Sequence, residues 1–295
     1  MQLQLISVPY RYDEPNEGLG LGPGALLDAG LAKKLTLAGF EVLAPVVAEL
    51  LDADREDGRT AVNIGKLGAS TSQHVSTARS AGHAVLVLTG DDTAAVGVMA
   101  GLQNAEGAGS QIGLVWFDAH GDFNTPETSY SGILAGMPVA IIAGIAGPQW
   151  RAAAGLAAPI PTDRILIAGV RDLDQKEEAL LLSTSVRLMR AEELRTPEQF
   201  TPVIERLAGH CSAFVLHIDL DVLDPHLVPS SSTPSAGGLE IDQAVTAIAT
   251  VLGTGKVAVV SVSSLNPGAG QRGQRSIQTT LSLLERSLAN WESIP

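Results

Sequence analysis

Two apolar runs, each ending in aspartates two residues apart, constrain this chain more than any other feature. Ile112-Gly113-Leu114-Val115-Trp116-Phe117 leads straight into Asp118-Ala119-His120-Gly121-Asp122. Phe214-Val215-Leu216-His217-Ile218 leads into Asp219-Leu220-Asp221. Runs of this length and apolarity read as buried strands, so the acids emerge where strand meets loop. Strands send alternate side chains to one side, so each pair can converge on a single point. Several carboxylates gathered at neighbouring strand tips repel one another unless a cation sits among them. One such run alone reads equally well as a solvated loop or, at Asp224-Pro225, as a plain turn. Two of the same form point to a metal centre.

The rest of the chain alternates strand and helix patterns. Expected strands cover 3–8, 40–45, 84–88, 112–117, 164–170, 186–189, 214–218 and 257–262. Expected helices cover 25–38, 63–81, 94–103, 136–143, 198–207, 241–252 and 277–291. With about eight alternations, no internal repeat and no linker, this is a single α/β domain over 1–295, with a mainly parallel sheet of roughly eight strands. Polar clusters follow the strands, and sites in such sheets form beyond the strands' carboxyl ends. Asp91 and Asp92, after the strand at 84–88, read either as a helix cap or, for Asp92, as a ligand. The Gly/Pro-rich loop Pro9–Gly24 lacks a Gly-Lys-Ser/Thr ending and a Gly-x-Gly-x-x-Gly, so it is not a phosphate loop.

Composition excludes some partners. The net charge of −13 argues against nucleic acid and anionic membranes, which select basic faces. No apolar run approaches the roughly 18 residues of a membrane span. The N-terminus has no basic region before an apolar one, so a signal peptide is not expected. The one cysteine, Cys211, excludes an internal disulfide framework and fits a reducing, cytoplasmic setting.

The motifs together resemble the ureohydrolase family of arginases, agmatinases and formiminoglutamases, the arginase-like members most of all. Asp118-Ala119-His120-Gly121-Asp122 is similar to that family's Asp-Ala-His-x-Asp signature. His217-Ile218-Asp219-Leu220-Asp221-Val222-Leu223-Asp224-Pro225 is similar to its Ser-x-Asp-x-Asp-x-x-Asp-Pro signature. Gly18-Leu19-Gly20-Leu21-Gly22-Pro23, and Thr233-Pro234 followed by Gly237-Gly238, match as well. The resemblance implies a three-layer α/β/α fold, two divalent ions, most commonly manganese, and hydrolysis of a guanidino or amidino group on a small molecule. It also implies a homo-oligomer.

Residue by residue, the resemblance makes Asp118 and Asp219 bridging ligands. His120 and Asp221 complete one site, and Asp122 with Asp92 the other. Asp122 would orient the attacking water and handle its proton. Asn124, Ser131 and Asp174 fall where the family meets an α-amino acid, with Glu177 nearby. Three positions depart from the pattern. Asp92 stands where the family has His. Ala135 replaces a His credited with proton transfer. Ser264 replaces the Glu that pairs with the guanidinium, which makes position 264 a substrate contact of different character. Arg272 and Arg275 follow in the same loop and are expected in solvent or facing an anionic group. An intact metal set beside a lost guanidinium anchor implies a hydrolase of a substrate less cationic than arginine, such as a hydroxylated guanidino acid. The alternative is a catalytically degenerate member that binds a metal or an amino acid. Single-zinc deacetylases share a related fold but lack the paired aspartates.

Overall fold

The computed structural model describes residues 1–289, 291 and 292. In chain order the strands are β1 (Gln2–Val8), β2 (Tyr10–Arg11), β3 (Glu14–Pro15), β4 (Glu41–Val42), β5 (Val46–Val47), β6 (Ala84–Thr89), β7 (Ile112–Phe117), β8 (Ile165–Val170), β9 (Arg187–Arg190), β10 (Ala213–Asp219) and β11 (Val257–Ser263). Nine of them form one sheet in the order β4-β1-β6-β11-β10-β7-β8-β9, with β5 also on β1. Every pairing in it is parallel. β2 and β3 make a separate antiparallel hairpin.

Both faces of this sheet are buried, which is why its strands read as continuous apolar runs rather than alternating ones. Alternation decides which face each residue serves. Leu86 and Leu88 of β6 join a core with Leu31, Phe200, Ile248 and Leu284, on helices Leu31–Leu37, Pro197–His210, Ile241–Leu252 and Gln271–Leu288. Val85 and Val87 join the opposite core with Leu67, Val75, Met99 and Ile141, on helices Thr60–Ser80, Ala95–Glu106 and Pro138–Ile142. The result is the three-layer arrangement of helices, parallel sheet and helices.

Several boundaries differ from the sequence pattern. The expected helix 25–38 is two helices, Gly22–Asp28 and Leu31–Leu37, because Gly30 adopts a left-handed φ of 89° between them. The expected strand 40–45 shrinks to β4 and β5. The last helix starts at Gln271 rather than 277 and ends at Leu288 rather than 291. Gln175–Leu182 forms an additional helix.

The strand order places the site. β6 and β7 are consecutive in the large parallel run, yet β11 and β10 lie between them. The segments after β6, β11, β10, β7 and β8 therefore stand side by side at one end of the sheet. They carry Asp92, Ser264, Asp221, Asp118 and Asp174, respectively, and Asp219 ends β10 itself.

Candidate active site

The tips of those five strands enclose a cleft of about 240 Å³, lined by Asp92, His120, Asp122, Asp219, Asn124, Ser131, Asp174 and Glu177, with Leu19, Ile133 and Ala135 as apolar wall. Two groups of donors close up at its base. Asp118, His120 and Asp221 each offer a ligand atom within 4.8 Å of the others, and so do Asp92, Asp118 and Asp122. Asp118 belongs to both, so the two groups share a carboxylate.

The local geometry has identifiable causes. His120 Nδ1 lies 3.1 Å from Asp118 Oδ1 and 3.2 Å from Asp221 Oδ2. Trp116 Nε1 donates to the other Asp118 oxygen at 2.9 Å. The amide of Ala119 donates to Asp221 Oδ1 at 3.1 Å, and Thr233 Oγ1 to Asp221 Oδ2 at 3.1 Å. Arg171 holds the turn that bears Asp221, donating to the carbonyls of Asp221 (2.5 Å) and Ser235 (2.8 Å). Asp122 has a left-handed φ of 46°, uncommon for a non-glycine residue and typical of functional sites. Its Oδ2 is buried without a hydrogen-bond partner. Gly121, beside it, has no room for a side chain, since a Cβ there would lie 2.7 Å from Glu177 Oε1.

Asp219 stands outside both donor groups. Its Oδ1 accepts from the Asp221 amide at 2.6 Å, and its Oδ2 from Ser264 Oγ at 2.5 Å. Each oxygen keeps a second lone pair, and Asp219 lines the cleft. Ser264 itself is fully buried beneath Asp219, with a left-handed φ of 70°. It supports that carboxylate from behind rather than lining the cleft as a substrate contact would. Arg272 and Arg275 are exposed on the last helix.

The substrate-contact candidates lie together at the cleft mouth. Asn124 Nδ2 donates to Asp174 Oδ2 at 3.2 Å, and the Tyr130 amide reaches the same oxygen at 3.4 Å. Ser131 Oγ accepts from the Ile133 amide at 3.2 Å. Glu177 Oε1 accepts from the Phe123 amide at 2.8 Å, and burial pushes its carboxyl up to about 7.

Electrostatics mark the base of the cleft as short of positive charge. Burial first, and then repulsion among neighbouring carboxylates, pushes Asp92, Asp122, Asp219 and Asp221 well above the usual range. Burial, the largest single influence, would raise Asp118 as well, but the hydrogen bonds and charge of His120 and the hydrogen bond from Trp116 together outweigh it and hold Asp118 at about 2. Burial would lower His120, yet Asp118 and Asp221 drive it up to about 12. The burial and crowding that raise these groups are what a bound cation would relieve. The orphaned Asp122 oxygen, the two donor groups and the hard oxygen-rich ligand set all fit divalent ions such as manganese.

Some residues here were not singled out by sequence. His217 is fully buried, 3.0 Å from Asp92 Oδ1 through Nε2. Ser263 Oγ donates to the same oxygen at 2.5 Å. Burial lowers His217 to about 3, so its ring is neutral. Period-two alternation was the available signal, because Trp116 and His217 precede Asp118 and Asp219 by two residues and share their side of the sheet.

Comparison with known proteins agrees with this geometry. A family model described as the arginase family matches residues 1–289. An arginase of Bacillus subtilis is 28% identical over 299 residues, covering 97% of this chain and 98% of the relative. The crystal structure of arginase from Bacillus subtilis superposes with a TM-score of 0.83 at 27% identity, covering 98% of each chain. A formimidoylglutamase structure from the same species, at 17% identity and a TM-score of 0.75 over 97% of this chain and 86% of that one, shares the fold.

Proposed function

The chain belongs to the arginase family and is a hydrolase of C–N bonds in linear amidines; from that premise we propose that it cleaves the guanidino or amidino group of an amino-acid-like substrate less cationic than arginine. The observation that carries this is the contrast between the base of the cleft and position 264 beneath it. The base keeps the cation-demanding aspartates. Position 264, by contrast, offers only a buried hydroxyl already engaged with Asp219, which cannot balance a guanidinium. A hydroxyguanidine is less basic and can enter neutral.

Asp118, His120 and Asp221 would hold one divalent ion, and Asp92, Asp118 and Asp122 the other, with Asp219 facing both. Bound there, the ions would supply positive charge that lets water ionise near neutral pH. The chain's own groups do the rest. Asp122, with its unpartnered Oδ2, is placed to orient the attacking water and take its proton. Ala135 has no proton to give, so the proton for the leaving nitrogen passes from Asp122. At the mouth, Asp174 offers a carboxylate to an α-ammonium, and Asn124 and Ser131 offer polar contacts to an α-carboxylate. Near its raised pKa, Glu177 adds little further negative charge there.

The experiment is turnover of guanidino, N-hydroxyguanidino and formimino acids with added manganese. The expected result is a higher kcat/KM for a hydroxylated guanidino acid than for arginine, with hydroxyurea as product. Release of no urea, hydroxyurea or formamide from any of them would overturn the proposal.

A further inference from the structure

Beneath Asp92 and Asp118 lies a pair of stacked rings. Trp116 on β7 and His217 on β10 are register partners. Their ring centroids are 3.7 Å apart and their planes 18° from parallel. Each ring serves one carboxylate: Trp116 Nε1 donates to Asp118, and His217 Nε2 meets Asp92 Oδ1. Ser261, the register partner of His217 on β11, lies 2.8 Å from its Nδ1. With a divalent ion bound, Asp92 is anionic and can only accept. Nε2 therefore carries the ring proton, and Ser261 Oγ donates to Nδ1. Asp92 Oδ1 is thus held twice, by His217 and by Ser263. Among the described residues no hydrogen bond holds the other Asp92 oxygen.

We propose that His217 is a positioning residue that pins one oxygen of Asp92, so that the other is presented with Asp118 and Asp122 to a divalent ion. The inference rests on the metal-hydrolase function proposed above. A short carboxylate next to two others rotates away from them unless something fixes it, and two donors on one oxygen both orient Asp92 and draw off part of its charge. The device also ties positions 92 and 217 together. The Asp92 carboxylate accepts from His217 Nε2–H, whereas an imidazole N–H at 92 turned toward it would meet donor with donor unless the His217 proton moved to Nδ1 and Ser261 accepted it. With Ser at 217 that conflict disappears. His217 stands where the family signature has Ser, so on this proposal the residues at 92 and 217 act as a pair.

Manganese titration of the chelated full-length protein, by calorimetry with bound ions counted by electron paramagnetic resonance, reads this without turnover. Wild type is expected to bind two ions. H217F keeps a stacked ring but has no donor, and one of its two affinities is expected to fall about 10- to 100-fold, the usual cost of losing an outer partner of a metal ligand. The other affinity is expected to hold. D92H is expected to lose the same site, and D92H/H217S to recover it. Two wild-type affinities in H217F would overturn the role of His217 and leave the proposed function standing. Should circular dichroism show H217F unfolded, D92H binding as tightly as D92H/H217S would overturn it instead. A wild type that binds no manganese would remove the proposed function itself.

Discussion

At the scale of single residues, the cleft is defined by carboxylates whose surroundings differ. Glu177 is the simplest to probe, because its acceptor bond from the Phe123 amide survives replacement by Gln. Its carboxyl is pushed by burial from the usual 4.5 to about 7, so between these values the folded protein binds a proton that the unfolded chain has released. Stability from this group is fully present below pH 4.5, falls as pH rises, and is gone above about 7. E177Q, which cannot ionise, is expected to gain on wild type between pH 4.5 and 7 and to keep a constant advantage above. Urea unfolding in chelator at several pH values checks this, and a stability difference that ignores pH contradicts it. The aspartates at 118, 122, 219 and 221 were legible in the sequence as two acid pairs at strand ends, though it is the pairing of β7 with β10 that brings the two sets together. Ser264, expected as a substrate contact, lies buried against Asp219. Its left-handed backbone turns the hydroxyl under Asp219, and nothing in Ser263-Ser264-Leu265 announces that turn.

At the scale of elements, the long strands and helices followed from apolar runs and helical spacing, while boundaries shifted at Gly30, within 40–45 and at the ends of the last helix. Less legible was how closely the helices approach each other. Thr60–Ser80 and Ala95–Glu106 cross backbone to backbone. A Cβ on Gly97 would sit 2.5 Å from the Gly68 carbonyl oxygen and 2.6 Å from its Cα. Neither is a side-chain tip that can swing aside, so G97A must push the helices apart, at a cost of about 1–3 kcal/mol. Gly24, in Gly22–Asp28, has open space at its Cβ, and G24A is expected to be neutral or stabilising. Denaturant midpoints of the two variants decide this; equal midpoints would contradict the close crossing. The turn Asp92–Ala94 runs directly into Ala95–Glu106, so the crossing also sets where Asp92 stands.

At the scale of the whole molecule, the parallel sheet brings five strand ends together, and most of the site's acids come from segments far apart in sequence. That topology was legible as a class, but the order in which β11 and β10 slip between β6 and β7 depends on long-range packing that no local pattern records. It is this order that sets Asp92 against His217 across 125 residues. Its consequence is a buried group of carboxylates whose mutual repulsion divalent ions would relieve. Among the described residues no helix is long and apolar enough to cross a membrane. The most direct test is metal content: the purified protein, equilibrated with manganese and freed of excess, is assayed for ions per chain by elemental analysis. Two per chain is the expected result, and a folded protein that retains none would contradict a hydrolase built on this cluster.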